Sequence, residues 1–548
     1  MFGRIHAGFE RGFEAFRGGY SALLHASLAH RRVTLSIACA TLVTGGVMLM
    51  FVGEDYFPQI DAGQMTLHVR GRSGLRIEET ERLFQQVEDV IRQTVPDTSL
   101  ILDNIGLPAN NYNLAFSDGS TVGLNDGQIL ISLKPGHPST FGMMKTLRVV
   151  LREHFPNVTF YFQPADIITQ VLNFGVPAPI DIQVSGRNRP QDLAIARQVE
   201  ARLRGVRGAV DVHLQQIVDA PEFFVEVDRI RAAQVGLTEQ TIAANLNTSL
   251  SSSYQVSPNF WTDPTSGIPY QLAVQTPEYR TNTIGDVNNT PMLVSNNGSS
   301  APNLLGNVAT LTRRAEQTVA NHENTRPTFD VYANLQDRAL GGVEGDIGPI
   351  IRDLSKQLPP GDTITVRGQI LSKNQSFTRI GMGLAAALVL VYMLMAVNFQ
   401  SWGDPLVVLL ALPLAFCGIC ASLFITQTTL SIPSLMGAIM SVGVASANSI
   451  LLVTFAREHR EQTGCTATEA AIAAGLTRLR PVLMTAGAMF VGLIPMALGL
   501  GDGSEQNAAL ARAVLGGVAV GTCSTLLFVP FLYASLRSRP VQPVEDYL

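Results

Sequence analysis

Few side chains in this sequence could do polar chemistry inside an apolar environment. Ser441, Ser446, Asn448 and Ser449 lie in LMGAIMSVGVASANSILLVTFA, and the surrounding stretch Pro405–Ala456 contains no Asp, Glu, Lys, Arg or His. Hydroxyl and amide groups pass hydrogen bonds along, but they do not gain or lose a proton near neutral pH. Coupling to a proton gradient requires a group that does so within the membrane. No apolar span here holds one. Arg478 sits at the edge of a span and stays protonated. Whatever drives this polypeptide is therefore expected to come from another set of helices.

Chemistry outside the apolar spans is equally sparse. There is no GxSxG, Walker loop or HExxH, and no His/Cys cluster at metal spacing, so an enzyme, a cofactor site and a metal site are not expected. His68, His154, His213 and His322 are scattered, and surface or internally satisfied histidines are the preferred reading, since a metal needs three or four converging ligands. Met143 and Met144 could meet a soft cation, but adjacent helical residues point in different directions, which favours core packing. Cys417 and Cys420 form a CxxC inside an apolar helix, where packing is the better reading. The loop GLPANNYNLAFSDGSTVGLNDG (106–127) brings Tyr112, Leu114 and Phe116 among Asn and Gly. It reads as an apolar binding loop or as a plain surface excursion.

The elements that must position these residues begin with long apolar runs. Val33–Val52, Ile380–Gly403, the two arms of Pro405–Ala456, Pro481–Gly501 and Ala513–Leu536 each suffice to cross ~30 Å of hydrocarbon at ~1.5 Å per residue. The expected fold is thus an α-helical membrane bundle of six helices. Arg4, Arg11, Arg17, Arg31, Arg32, Arg457, Arg460, Arg478, Arg480, Arg537 and Arg539 fall on the side shared by both termini, with only Arg512 opposite. The positive-inside rule makes that side cytoplasmic. Residues 1–32 read as a cytoplasmic amphipathic segment, with Phe2, Ile5, Phe9, Phe13 and Phe16 at helical spacing. It lies on lipid or packs on the bundle.

The large region between the first two spans repeats a β-α-β unit four times. Met65–Arg70, Leu75–Gln93 and Ser99–Asn104 form the first copy. Gln128–Leu133, Ser139–His154 and Val158–Gln163 form the second, and Ile180–Ser185, Pro190–Arg204 and Ala209–Leu214 the third. The fourth is Thr328–Ala333, Leu340–Gln357 and Thr363–Gly368. Pairs of copies make ferredoxin-like α+β layers, and the gap between the third and fourth holds an inserted lobe opened by PEFFVEV. This region has no cysteine, so no disulfide frames it. A net charge of -5 with 15% charged residues, and no basic run, gives no sign of nucleic acid.

FPQIDAGQ, PEFFVEVDRIRAAQVGLT, NFQSWGDP, GVASANSILLVTFA, RLRPVLMT and GDGSEQNA together resemble the resistance-nodulation-cell division (RND) efflux transporters, specifically a C-terminal half. The resemblance covers essentially the whole chain. It implies a membrane helix at 33–53, porter subdomains at 54–176 and at 177–220 with 310–376, and a docking lobe at 221–309. Membrane helices would follow at 377–403, 404–456 and 481–536, with a cytoplasmic loop at 457–480 and a tail at 537–548. It further implies a multi-pass protein of the bacterial inner membrane with its large region in the periplasm. The implied assembly is a homotrimer with an N-terminal half or homologous subunit, a periplasmic adaptor and an outer-membrane channel. Arg478 and Thr485 look like the family's proton-relay pair. The relay lysine is replaced by Ala447, which implies either an altered hydrogen-bond network through Ser446, Asn448 and Thr485 or a relay held almost entirely in the other half. Leu102, Leu107 and Leu130 match positions where multidrug members carry phenylalanines. The implied function is proton-driven export of amphiphilic or hydrophobic compounds. The alternatives are a metal-cation exporter half or a non-transporting envelope module that binds an adaptor.

Overall fold

Period-two alternation builds the first layer. In the computed structural model, which describes residues 2–107, 119–173, 175–254, 256–293, 303–501 and 503–537, strands β1 (Gln64–Arg70), β2 (Thr98–Ile105), β3 (Asp126–Leu133) and β4 (Thr159–Gln163) pair antiparallel in the order β2-β3-β1-β4. Met65, Leu67, Val69, Ile129 and Ile131 point to one face. There they meet Phe84, Val87 and Ile91 of the helix Ile77–Thr94, and Leu147 and Leu151 of the helix Thr140–His154. Each of these buried side chains contributes ~1.5–3 kcal/mol relative to exposure.

The second layer repeats the plan. Strands β5 (Ile180–Ser185), β6 (Ala209–Leu214), β7 (Arg326–Leu335) and β8 (Thr363–Gly368) take the order β6-β7-β5-β8, with a short strand Asn321–Glu323 added beside the start of β7. The helices Arg189–Leu203 and Leu340–Ser355 cover its apolar face. Residues 217–319 form a separate compact unit. Within it, Ala220–Val227 pairs antiparallel with Ala309–Glu316 over a core of Ala232, Leu237, Ile242, Met292, Leu305 and Val308. The hairpin Asn259–Thr262 with Pro269–Leu272 leaves Phe260, Trp261, Tyr270 and Leu272 exposed.

Among the described residues, six helices are long and apolar enough to cross a membrane: Arg31–Phe51, Gln369–Phe399, Gly403–Ile425, Ile432–Thr463, Ala467–Leu498 and Glu505–Leu536. The last contains a π-helical turn at Ser524–Phe528. Glycine and serine let these helices approach closely. A Cβ at Gly418 would lie 2.4 Å from the Gly516 carbonyl oxygen, and one at Gly517 would lie 2.5 Å from Ser441 Cβ. Cys417 belongs to the same packing, because a Cβ at Gly45 would come within 2.5 Å of its sulfur.

Two terminal features depart from or refine the sequence reading. The segment 457–480, expected as a loop, is helical except at 464–466. Gly464 ends one helix in the left-handed region (φ 64°), and a Thr466–Glu469 capping box starts the next at once. The helix Phe2–Ala29 packs on the bundle, burying Tyr20, Leu24 and Leu28, and the Tyr20 hydroxyl donates to the Leu526 carbonyl at 2.7 Å.

Candidate functional site

The polar groups of the helix Ile432–Thr463 divide between two faces. Ser441, Asn448 and Ser449 are buried against neighbouring helices. Ser441 Oγ donates to Gly437 O at 2.9 Å, and Ser449 Oγ meets Thr525 Oγ1 at 3.1 Å. Ser446 faces away and returns its hydroxyl to Gly443 O at 2.8 Å. Ala447 is exposed, in a stripe with Met436, Met440, Gly443 and Leu451.

The expected network through Ser446, Asn448 and Thr485 is not formed. Thr485 is exposed and donates to Val482 O at 3.0 Å, within its own helix. Hydroxyls in helices find a carbonyl three or four residues back, which satisfies them without any partner helix. Arg478 sits two turns before Thr485, with its guanidinium 5.3 Å from the Phe455 ring centre. No hydrogen bond joins Arg478 to Thr485 among the described residues.

Sequence reasoning missed the charges that close the bundle ends. Asp404, in the first turn of its helix, is buried and bonded by Arg537 at 2.7 and 2.8 Å. Arg512 lies on the helix Glu505–Cys523 and donates to Ala497 O and Thr428 Oγ1, both at 2.9 Å. At the opposite end of the helix Gln369–Phe399 from its apolar body, buried Lys373 bonds Glu54 at 3.2 Å and Glu344 at 2.7 Å. These anchors are i-to-distant-j pairs, invisible to periodicity.

The histidines read as scattered are in part brought together. His68 and His213 stack on opposite sides of Tyr161, with ring centres 4.3 and 3.8 Å away. Asp126 takes hydrogen bonds from His68 and Arg70, and Arg70 also donates to Gln215 O at 3.0 Å. Burial opposes charge on Asp126, yet His68 and Arg70 hold its carboxyl below the usual range. Burial, helped by the Arg70 charge, pushes His213 down to about 3. The cluster packs as a joint between the two layers, with the Asp126 carboxylate held by His68 and Arg70. His154 and His322 lie elsewhere.

Beside this joint a cleft of about 520 Å³ opens between the layers, with Phe57, Met65, Met144, Phe162 and Leu172 on its apolar walls. Its cations are already spent: Lys145 pairs with Asp337 at 2.6 Å, and Arg148 holds Asp211 through two 2.8 Å bonds. Such a lining suits an apolar or weakly charged solute more than a free anion.

Leu102 and Leu130 are cross-strand partners on the outer face of the first sheet, exposed by 58% and 39%. Leu107 is exposed nearby in sequence, after β2. Tyr112, Leu114 and Phe116 lie outside the described residues. Among the described residues no three or more His, Cys, Asp and Glu side chains gather as a metal site.

Among the described residues, six helices long and apolar enough to cross a membrane, joined to two β-α-β layers, suit a membrane protein. The AcrB/AcrD/AcrF family profile matches residues 2–537, and the chain belongs to that family of RND efflux transporters. It is 26% identical over 533 residues to the cation efflux system protein CzcA of Alcaligenes sp. (strain CT14), covering 96% of this chain and 49% of that protein. Identity, aligned length and both coverages are the same for the cobalt-zinc-cadmium resistance protein CzcA of Cupriavidus metallidurans. Protein HelA of Legionella pneumophila is 27% identical over 530 residues, covering 95% of this chain and 49% of that one. Two crystal forms of a heavy metal efflux pump share the fold. Form II has a TM-score of 0.80 at 23% identity, covering 96% of this chain and 53% of that one. Form I has 0.78 at 24% identity, covering 96% and 52%. The chain spans about half the length of the curated relatives it matches.

Proposed function

We propose that this chain supplies one six-helix half of an RND efflux transporter for metal cations and works with a second set of helices carrying the titratable groups. The observation that carries the reading is the exposed stripe Met436, Met440, Gly443, Ala447 and Leu451. It lies on a helix whose other face is packed, and it holds no group able to take up a proton. An apolar stripe with the small residues Gly443 and Ala447 at the relay position suits contact with another helix bundle.

Metal cations are preferred to amphiphiles as cargo because two of the relatives named above are a cation efflux system protein and a cobalt-zinc-cadmium resistance protein. The exposed leucines at 102, 107 and 130 give no aromatic grip, which also weakens the amphiphile reading. Cargo ligands are then expected in part on the companion half. The same proposal places the protein in the inner membrane with residues 54–376 in the periplasm, as a trimer served by an adaptor and an outer-membrane channel.

The test is metal tolerance in a sensitive strain. Co-expression with a companion half bearing membrane carboxylates should raise tolerance to zinc, cobalt or cadmium, and neither half alone should do so. Proteoliposomes holding only this chain that move solute on an imposed pH gradient would refute the need for a companion.

A further inference from the structure

The second layer carries an unusual array on the face opposite its helices. Register places Tyr332, Asp181 and Arg367 side by side on β7, β5 and β8. Asp330, Gln183 and Thr365 make the next row, and Thr328, Ser185 and Thr363 the one after. Nine polar or amphipathic side chains thus form a block on three adjacent strands, where cross-strand neighbours stand ~4.5–5.5 Å apart at Cβ.

Oxygen atoms in this block lack partners although they are buried. Asp181 Oδ1, Asp330 Oδ1, Gln183 Oε1, Ser185 Oγ and Thr365 Oγ1 make no hydrogen bond among the described residues. Asp181, Ser185 and Asp330 are only 1, 3 and 2% exposed. A buried polar atom without a partner loses its hydration uncompensated, so five on one face call for an occupant. Asp330 Oδ2, by contrast, is satisfied by Gln216 at 2.7 Å and Asn321 at 2.6 Å. Those bonds fix the carboxylate and leave Oδ1 free to point elsewhere. Arg367, beside Asp181 in register, is shared with Glu323.

We propose that this face of the second layer binds a hard divalent cation, calcium the best match, held by Asp181 and Asp330 with Gln183, Ser185 and Thr365 as neutral oxygen ligands. Asp181 and Asp330 are diagonal neighbours, ~7–8 Å apart at the backbone, a span two carboxylates close around an ion at ~2.3–2.6 Å from each oxygen. The donors are all oxygen, which excludes a soft-metal preference. Calcium accepts irregular shells of 6–8 oxygens, water included, whereas magnesium demands a near-octahedron. The site holds the layer together and is independent of the cargo.

Equilibrium dialysis of the detergent-purified full chain with radioactive calcium should find one ion per chain at these residues. Asp181→Asn and Asp330→Asn keep the side-chain shape, and each should weaken that binding at least tenfold. EGTA should lower the unfolding temperature of the wild type, and calcium, but not sodium chloride of equal ionic strength, should restore it. This wild-type arm decides the matter even if a variant fails to fold. No calcium bound, undiminished binding in both variants, or zinc bound there tenfold more tightly than calcium would each overturn the proposal.

Discussion

Arg148 and Asp211 form a two-bond pair, 2.8 Å at each contact, that joins a helix of the first layer to an edge strand of the second. Asp211 Oδ2 also takes the Phe162 amide at 3.2 Å and Asn334 Nδ2 at 2.9 Å. The free edge of β4 is thereby capped by side chains rather than by another strand, which protects it from stray pairing.

Arg148→Ala should destabilise the two layers by ~3–5 kcal/mol, because it strands a buried carboxylate. Arg148→Ala with Asp211→Asn should cost less than the sum of the two single changes. Chemical unfolding of the four proteins measures the coupling, and strict additivity would show that the pair is not a unit.

Asp103 gives a pH dependence. Burial, with the Glu88 carboxyl beside it, pushes Asp103 up to about 7. The folded form therefore binds a proton that the unfolded chain releases near pH 4. This group's penalty is absent below pH 4 and grows as pH rises towards 7. Asp103→Asn should raise the unfolding temperature more at pH 8 than at pH 5. Equal gains at both values would show that the raised carboxyl is not the cause.

Gly516 tests the close helix contacts. Its Cβ would lie 2.3 Å from Ser422 Cβ and 2.4 Å from Gly418 O, so Gly516→Ala should cost ~1–3 kcal/mol by overpacking. Gly443→Ala is the control, since nothing lies within 4 Å of its Cβ position. Thermal unfolding in detergent should separate the two.

Ala447→Trp should leave the isolated chain as stable as wild type, because the position is exposed. Metal tolerance with the companion half should fall at least tenfold if that face meets other helices. A variant chain that unfolds early would place Ala447 in an internal contact instead.

Local pattern foretold most of the layers. Ile180–Ser185 and Thr363–Gly368 appear at their expected ends, because alternation and flanking turns both act within a few residues. The same period of two also held the polar face Asp181, Gln183 and Ser185, but only strand pairing brings Asp330 and Thr365 beside it. His68 and His213 are 145 positions apart in the numbering, and only the meeting of two layers stacks both on Tyr161. Ser446 and Thr485 each spend their hydroxyl on their own helix, a local bond that residue type alone does not foretell.

Gly368 ends β8, and the helix Gln369–Phe399 begins at the very next residue. Its φ of 71° and the 2.5 Å between a Cβ there and the Pro179 oxygen leave no room for another residue type. With Lys373 bolted to Glu54 and Glu344 a turn later, the joint has no slack. A tilt of that membrane rod is then delivered to the sheet as torque, and the second layer turns whenever the rod does.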